Sequence, residues 1–203
     1  MANDTNRSDR WCVIGAGPSG LAVIKNFRER GIPVEGIERE SDAGGVWNYG
    51  SGAGGVYAST HMISSKRQTE YIDFPMSDTY PPYPSHRQAL GYLRSYAAHF
   101  KLYETIQFQK EVTSIVAGEG GWLVTLRDEE SPRLYRGVVI ANGHHRVPLW
   151  PEIPGEFTGE TLHSHEYRTP DRLRGKRVLV IGGGNSGCDI AVEGAQNAAA
   201  TFL

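Results

Sequence analysis

Two copies of the pattern G-x-G-x-x-G constrain this chain more than any other feature. Gly15, Gly17 and Gly20 follow the apolar run Trp11-Cys-Val-Ile14, and Gly182, Gly184 and Gly187 follow the apolar run Arg177 to Ile181. After the first copy, Leu21, Ala22, Ile24 and Phe27 recur at helical spacing; after the second, an Ala-rich stretch reads as a helix running to the last residue. A strand that enters a glycine turn and leaves as a helix opens a βαβ unit whose turn receives a pyrophosphate. The first glycine permits the sharp turn, the second lets phosphate approach the backbone, and the third lets helix pack on strand. The helix N-terminus then offers N–H groups to the anion. Gly31 caps the first helix, Ile32-Pro33 stops it, and Val34 to Arg39 read as the second strand.

Glu38 completes the first site, which comprises Gly15, Ala16, Gly17, Pro18, Ser19, Gly20 and Glu38. A carboxylate at the end of the second strand accepts hydrogen bonds from ribose hydroxyls and repels a 2'-phosphate, so FAD or NAD suits this site and NADP does not. The second site comprises Gly182, Gly184, Asn185, Ser186 and Gly187, with its ribose-reading residue expected beyond Leu203. The residues therefore leave the second dinucleotide open. Two such sites in one chain imply electron transfer between two cofactors, a nicotinamide reducing a flavin.

Between the motifs, Ser41 to Pro84 is a long irregular stretch rich in Gly, Tyr, Pro and Ser, of the kind that is usually functional. Ser85 and Gln88 form a capping-box pair ahead of a helical stripe of Leu90, Leu93, Ala97 and Phe100. Ile106 to Val116, Trp122 to Arg127 and Leu134 to Ala141 read as strands, with Gly120-Gly121 as a turn. Pro148, Pro151 and Pro154-Gly155 make a stiff connection and mark a domain boundary.

Gly15 to Gly20, Gly44-Gly-Val-Trp47, Asp73-Phe-Pro75, Asn142-Gly143 and Gly182 to Gly187 together resemble the flavin-containing monooxygenases. The most specific match runs from Phe157-Thr-Gly159 through His163 to Tyr167-Arg168, similar to the family fingerprint F-x-G-x-x-x-H-x-x-x-Y. The resemblance implies FAD on the first motif, with Gly45, Val46 and Trp47 along it, and NADPH on the second. It also implies a flavin hydroperoxide that passes one atom of molecular oxygen to a small-molecule amine or sulfide. Where many relatives carry an active-site Asn the alignment puts Ile63, which can neither donate nor accept a side-chain hydrogen bond. Ser64 beside it keeps a hydroxyl for the cofactor. The related Baeyer-Villiger monooxygenases, which act on ketones, carry Trp where Tyr167 stands. The other readings are a flavin-dependent NAD(P)H reductase, opposed by the lack of any cysteine between Cys12 and Cys188, and an inactive truncated fragment.

The expected architecture is α/β: a Rossmann-like FAD-binding domain over residues 1–150 with a β-meander insertion, a linker over 151–175 carrying the fingerprint, and the start of a second Rossmann-like NADPH-binding domain over 176–203. Such a piece, with one strand and one helix in its second unit, is not expected to turn over alone; a homo-oligomer is left open for the full enzyme. A net charge of −2 gives no reason to expect nucleic acid, and no apolar run is long enough to span a membrane. With two cysteines, each expected inside a buried strand or helix, and no apolar leader, a cytoplasmic location is expected. His163 and His165, two apart, read as one face of a strand and a weak metal pair; no metal is expected.

Overall fold

The computed structural model describes residues 5–51 and 54–203; Met1 to Asp4 of the polar start and Gly52 of the second glycine cluster lie outside the described residues. The first unit has six strands: β1 (Asn6–Ile14), β2 (Val34–Ile37), β3 (Ile106–Gln107), β4 (Val112–Gly118), β5 (Gly121–Leu126) and β6 (Arg133–Ile140). They form one sheet in the order β3-β2-β1-β6-β5-β4. β3, β2, β1 and β6 are mutually parallel, while β5 runs antiparallel to both β6 and β4. The expected meander is thus an extension of the parallel sheet through β6, a strand long enough to pair with β5 at its start and with β1 along its length.

From β1 the chain steps outward to β2 and β3, then returns through the β4–β5 hairpin to the other side of β1. The order therefore reverses beside β1, and open α/β sheets hold ligands in the crevice at the carboxyl end of such a switch point. The first glycine turn leaves β1 at that end. So do Glu38 after β2 and Asn142-Gly143 after β6.

Strand residues alternate between faces, so Cys12 and Val13, both fully buried, serve two different cores. Val13 joins helices α1 (Pro18–Glu29) and α3 (His86–His99) through Leu21, Ile24, Tyr92, Leu93 and Tyr96. Cys12 joins Ile37, Val124, Leu126 and Tyr135, and burial pushes its thiol up to about 12. The capping box holds α3 as expected: Ser85 Oγ accepts from the Gln88 N–H at 3.4 Å, and Gln88 Oε1 accepts from the Ser85 N–H at 2.9 Å.

The irregular stretch is fastened to α1 by Asp73-Phe-Pro75, a motif to which the sequence assigned no task. The Asp73 carboxylate pairs with Lys25, which also meets Glu29 at 2.7 Å and lies 4.9 Å from the centre of the Phe100 ring. Tyr71 donates its hydroxyl to the Pro18 carbonyl at 2.6 Å, at the start of α1. The Lys25 hydrogen bond holds the Asp73 carboxyl below its ordinary 3.8, so this pairing is complete at neutral pH and is lost only as the pH falls through that lowered value.

Several expectations are corrected. Ile106 to Val116 is two strands, because residues 108–111 turn out of line and Gln109 adopts a left-handed backbone (φ 57°). The terminal helix α4 (Asn185–Asn197) does not reach the last residue: β8 (Ala200–Phe202) follows and pairs in parallel with β7 (Arg177–Leu179). The second unit is therefore a complete βαβ step, and Phe202 belongs to its strand, not to the helix. Cys188 on α4 is exposed, not buried. His163 and His165 lie in a 3-10 turn, not a strand, with ring centres 6.5 Å apart.

Candidate functional site

Each glycine of the first turn answers a different steric demand. Gly15 sits at φ +102°, and a Cβ there would lie 2.5 Å from the Ala141 carbonyl oxygen on the neighbouring strand's exit. A Cβ on Gly20 would lie 1.8 Å from the Gly15 carbonyl oxygen, so this position closes helix onto strand. Gly17 is not required by packing, since its Cβ would make only an ordinary 3.5 Å contact with Gly45 Cα. What Gly17 provides is open access to the backbone.

Helix α1 begins with Pro18, has no side-chain cap and carries no acidic residue in its first turn; α4 likewise has neither a side-chain cap nor a first-turn acid. The first-turn N–H groups of both helices have no intrahelical acceptor. Nothing in either first turn competes with an anion, so both turns fit a pyrophosphate.

Glu38 is 6% exposed. One carboxylate oxygen accepts from the Ala16 N–H at 2.6 Å and the other from the Glu40 N–H at 2.9 Å. Each oxygen keeps a lone pair, enough for a ribose diol. The carboxylate thus also holds the glycine turn against the end of β2. Gly44 donates its N–H to the Ala16 carbonyl at 3.0 Å, which hangs the 3-10 turn Gly45–Trp47 on the same loop. Gly15 to Gly20, Glu38, Gly45, Val46 and Trp47 are in this way brought together. Ser64 is not: its exposed hydroxyl pairs with the Thr69 hydroxyl at 2.6 Å, just before and within helix α2 (Lys66–Thr69). Ile63 is 73% exposed.

The second turn repeats the first. Gly182 sits at φ +120°, and a Cβ on Gly187 would lie 1.9 Å from the Gly182 carbonyl oxygen. Asn185 and Ser186 open α4. By strand register, Leu179 opposite Phe202 corresponds to Cys12 opposite Glu35. Glu38 lies three residues past Glu35, so its counterpart falls past Leu203, where the sequence put it.

The fingerprint has a physical reading in this fold. The Phe157 ring lies over Gly159, where a Cβ would meet it at 2.4 Å. His163 Nδ1 accepts from the His165 N–H at 3.0 Å and so caps the turn Ser164–Glu166, which ends by turning Tyr167 fully inward. Tyr57 and Tyr167 meet edge to face, their ring centres 5.6 Å apart. Sequence reasoning missed Tyr57, Asp189 and Glu193; an acidic pair four apart on the expected helix was the available sign. Among the described residues no group of three or more His, Cys, Asp or Glu is arranged to hold a metal, and no helix is long and apolar enough to cross a membrane.

Two uncapped glycine turns of one geometry, each leading from a strand into a helix and back to a parallel strand, define a protein with two dinucleotide-type βαβ units. The chain belongs to the flavin-binding monooxygenase-like family, whose profile matches residues 8–203. It is 38% identical over 206 residues to dimethylaniline monooxygenase [N-oxide-forming] 2 of Pan troglodytes, covering 94% of this chain and 38% of that protein. Among solved structures it superposes on S-allyl-L-cysteine S-oxygenase from Allium sativum with TM-score 0.86 and 27% identity, covering 97% of this chain and 50% of the other. It superposes on OTEMO in complex with FAD and NADP with TM-score 0.76 and 26% identity, covering 97% and 38%. The chain thus spans 38% of the length of its curated relative.

Proposed function

We propose that the protein is an NADPH-dependent flavin monooxygenase, with FAD on the first glycine turn and NADPH on the second, oxygenating nucleophilic nitrogen or sulfur atoms of small molecules. The observation that carries this reading is the pair of equivalent, uncapped glycine turns in a chain of this family. The relatives named above are an N-oxide-forming dimethylaniline monooxygenase and an S-allyl-L-cysteine S-oxygenase; an aromatic tertiary amine and a thioether both present a lone pair to an electrophilic oxygen. Residues 1–150 serve as the FAD unit, 151–175 as the linker and 176–203 as the opening of the NADPH unit.

When bound, FAD supplies the redox chemistry and NADPH the reducing equivalents. The side chains and backbone named above bind, orient and exclude water. The first-turn N–H groups take the pyrophosphates, Glu38 takes the FAD ribose, and Gly45, Val46 and Trp47 line the flavin's approach. Ser64 stands apart from this group, its hydroxyl paired with that of Thr69.

The test is to supply the complete protein with FAD, NADPH and oxygen, and to offer a tertiary amine, a thioether and a ketone in turn. N-oxide or sulfoxide formed in step with NADPH consumption supports the reading. Ester formation from the ketone alone reassigns it to Baeyer-Villiger chemistry, and failure to retain FAD overturns it.

Ile63 gives a second expected result. Its exposed side chain can be replaced without opening a cavity, and Ile63→Asn restores a donor and an acceptor. One new hydrogen bond of about 0.5–1.5 kcal/mol should lower the hydrogen peroxide released per NADPH by roughly two- to tenfold. An unchanged peroxide yield places position 63 outside the reacting site.

A further inference from the structure

Two buried phenols, Tyr57 of the first unit and Tyr167 of the linker, reach helix α4 of the second, and neither takes part in the cofactor contacts described above. Tyr57, 3% exposed, donates its hydroxyl to Asp189 Oδ2 at 2.6 Å. Tyr167, fully buried, donates its hydroxyl to Glu193 Oε2. Asp189 and Glu193 are four residues apart on α4 and so lie one above the other on a single face. The two tyrosines come from different segments that are themselves tied, the Ala58 N–H donating to the Arg168 carbonyl at 2.9 Å.

We infer that Tyr57 and Tyr167 are positioning residues: a two-point clamp that sets the rotation of α4, and with it the second glycine turn, relative to the first. The apolar cluster beneath them, with Leu173 and, packed on it, Leu162, Val178 and Ile190, fixes how close α4 comes but is non-directional. Two charge-assisted hydrogen bonds one helical turn apart supply the direction that apolar contact lacks. Burial, then the carboxylate partner, pushes each phenol above its ordinary value, so both stay donors through the neutral range and the clamp does not open there. On this account the last residue of the fingerprint is an anchor for the nicotinamide unit. Its value for catalysis rests on the proposed function, because reduction of one cofactor by the other needs reacting atoms held about 3–3.5 Å apart.

Tyr57→Phe, Tyr167→Phe and the double variant remove only hydroxyls and keep the rings that pack. In the complete protein the double variant is expected to keep its FAD and to be reduced by dithionite as wild type, while anaerobic reduction by NADPH slows about tenfold or more. Amide hydrogen exchange in α4 should quicken by a similar factor while α1 stays protected. Asp189→Asn retains an oxygen acceptor and should keep α4 protected. Unchanged exchange of α4 in the double variant overturns the clamp, and lost protection with wild-type reduction by NADPH overturns its positioning role. If the wild-type protein holds FAD but NADPH does not reduce it, the proposed function fails instead, and the exchange result alone decides the clamp.

Discussion

Gly20→Ala is expected to destroy the first turn and the flavin site together, whereas Gly17→Ala is expected to keep the fold and lose the flavin. The alanine methyl at position 20 would lie 1.8 Å from the Gly15 carbonyl oxygen, a backbone atom that cannot swing away. Relieving that contact means parting helix from strand, at a cost of about 3 kcal/mol or more. A chain of this size should then melt roughly 6–12 °C lower. At position 17 the added methyl meets protein only at an ordinary 3.5 Å, so melting should barely move. On the proposed function the methyl instead stands where the FAD pyrophosphate would approach the backbone, and loss of one or two hydrogen bonds to charged oxygens should weaken FAD by about 100-fold or more. Melting curves and flavin titration on the two variants check both halves. A yellow Gly17→Ala protein with full flavin occupancy would remove the first turn from the FAD site.

Glu38→Ala should show the second largest effect, because one carboxylate serves fold and ligand at once. Removing it leaves the Ala16 N–H, now 2.6 Å from Oε2, without its acceptor inside a buried turn. An orphaned buried donor costs about 1–3 kcal/mol. FAD, which in this reading bonds the same carboxylate through its ribose, should weaken further still, while NADPH affinity is spared. Glu38→Gln separates the two roles: its amide oxygen can still accept from Ala16, so stability should recover more than flavin binding does. Titration with each cofactor decides, and equal loss of both affinities overturns the assignment of Glu38 to the flavin nucleotide.

Much of the first unit was legible because its signals are local. Gly15, Gly17 and Gly20 between an apolar strand and an amphipathic helix, the Ser85 and Gln88 cap, and the Gly31 stop each express a backbone demand met within a few residues. Two of the misreadings come from distant segments and one from a neighbouring side chain. Phe108 to Glu111 follows directly on the strand residues Ile106 and Gln107, yet the Gln109 and Lys110 N–H groups donate to the Glu40 and Glu38 carbonyls and turn the chain out of the strand. Ala198 to Phe202 continues an Ala-rich helix by propensity, but parallel pairing with β7 draws its last residues into a strand. His163 and His165 alternate like strand residues, and a side-chain cap bends them into a turn.

The sequence by itself determined the two glycine turns, the carboxylate after the second strand, the fingerprint and thereby the family, since each is a fixed spacing of residues whose chemistry is intrinsic. Only the tertiary structure decided that Glu38 also holds its own turn, that Asp73 fastens the irregular stretch through Lys25, and that Tyr57 and Tyr167 reach across to Asp189 and Glu193. Those pairs lie 22, 48, 132 and 26 residues apart in the chain. No local periodicity encodes such a partner. It is set by which elements the sheet order and the three apolar clusters bring face to face, and buried polar groups then bond with whatever that packing places within reach.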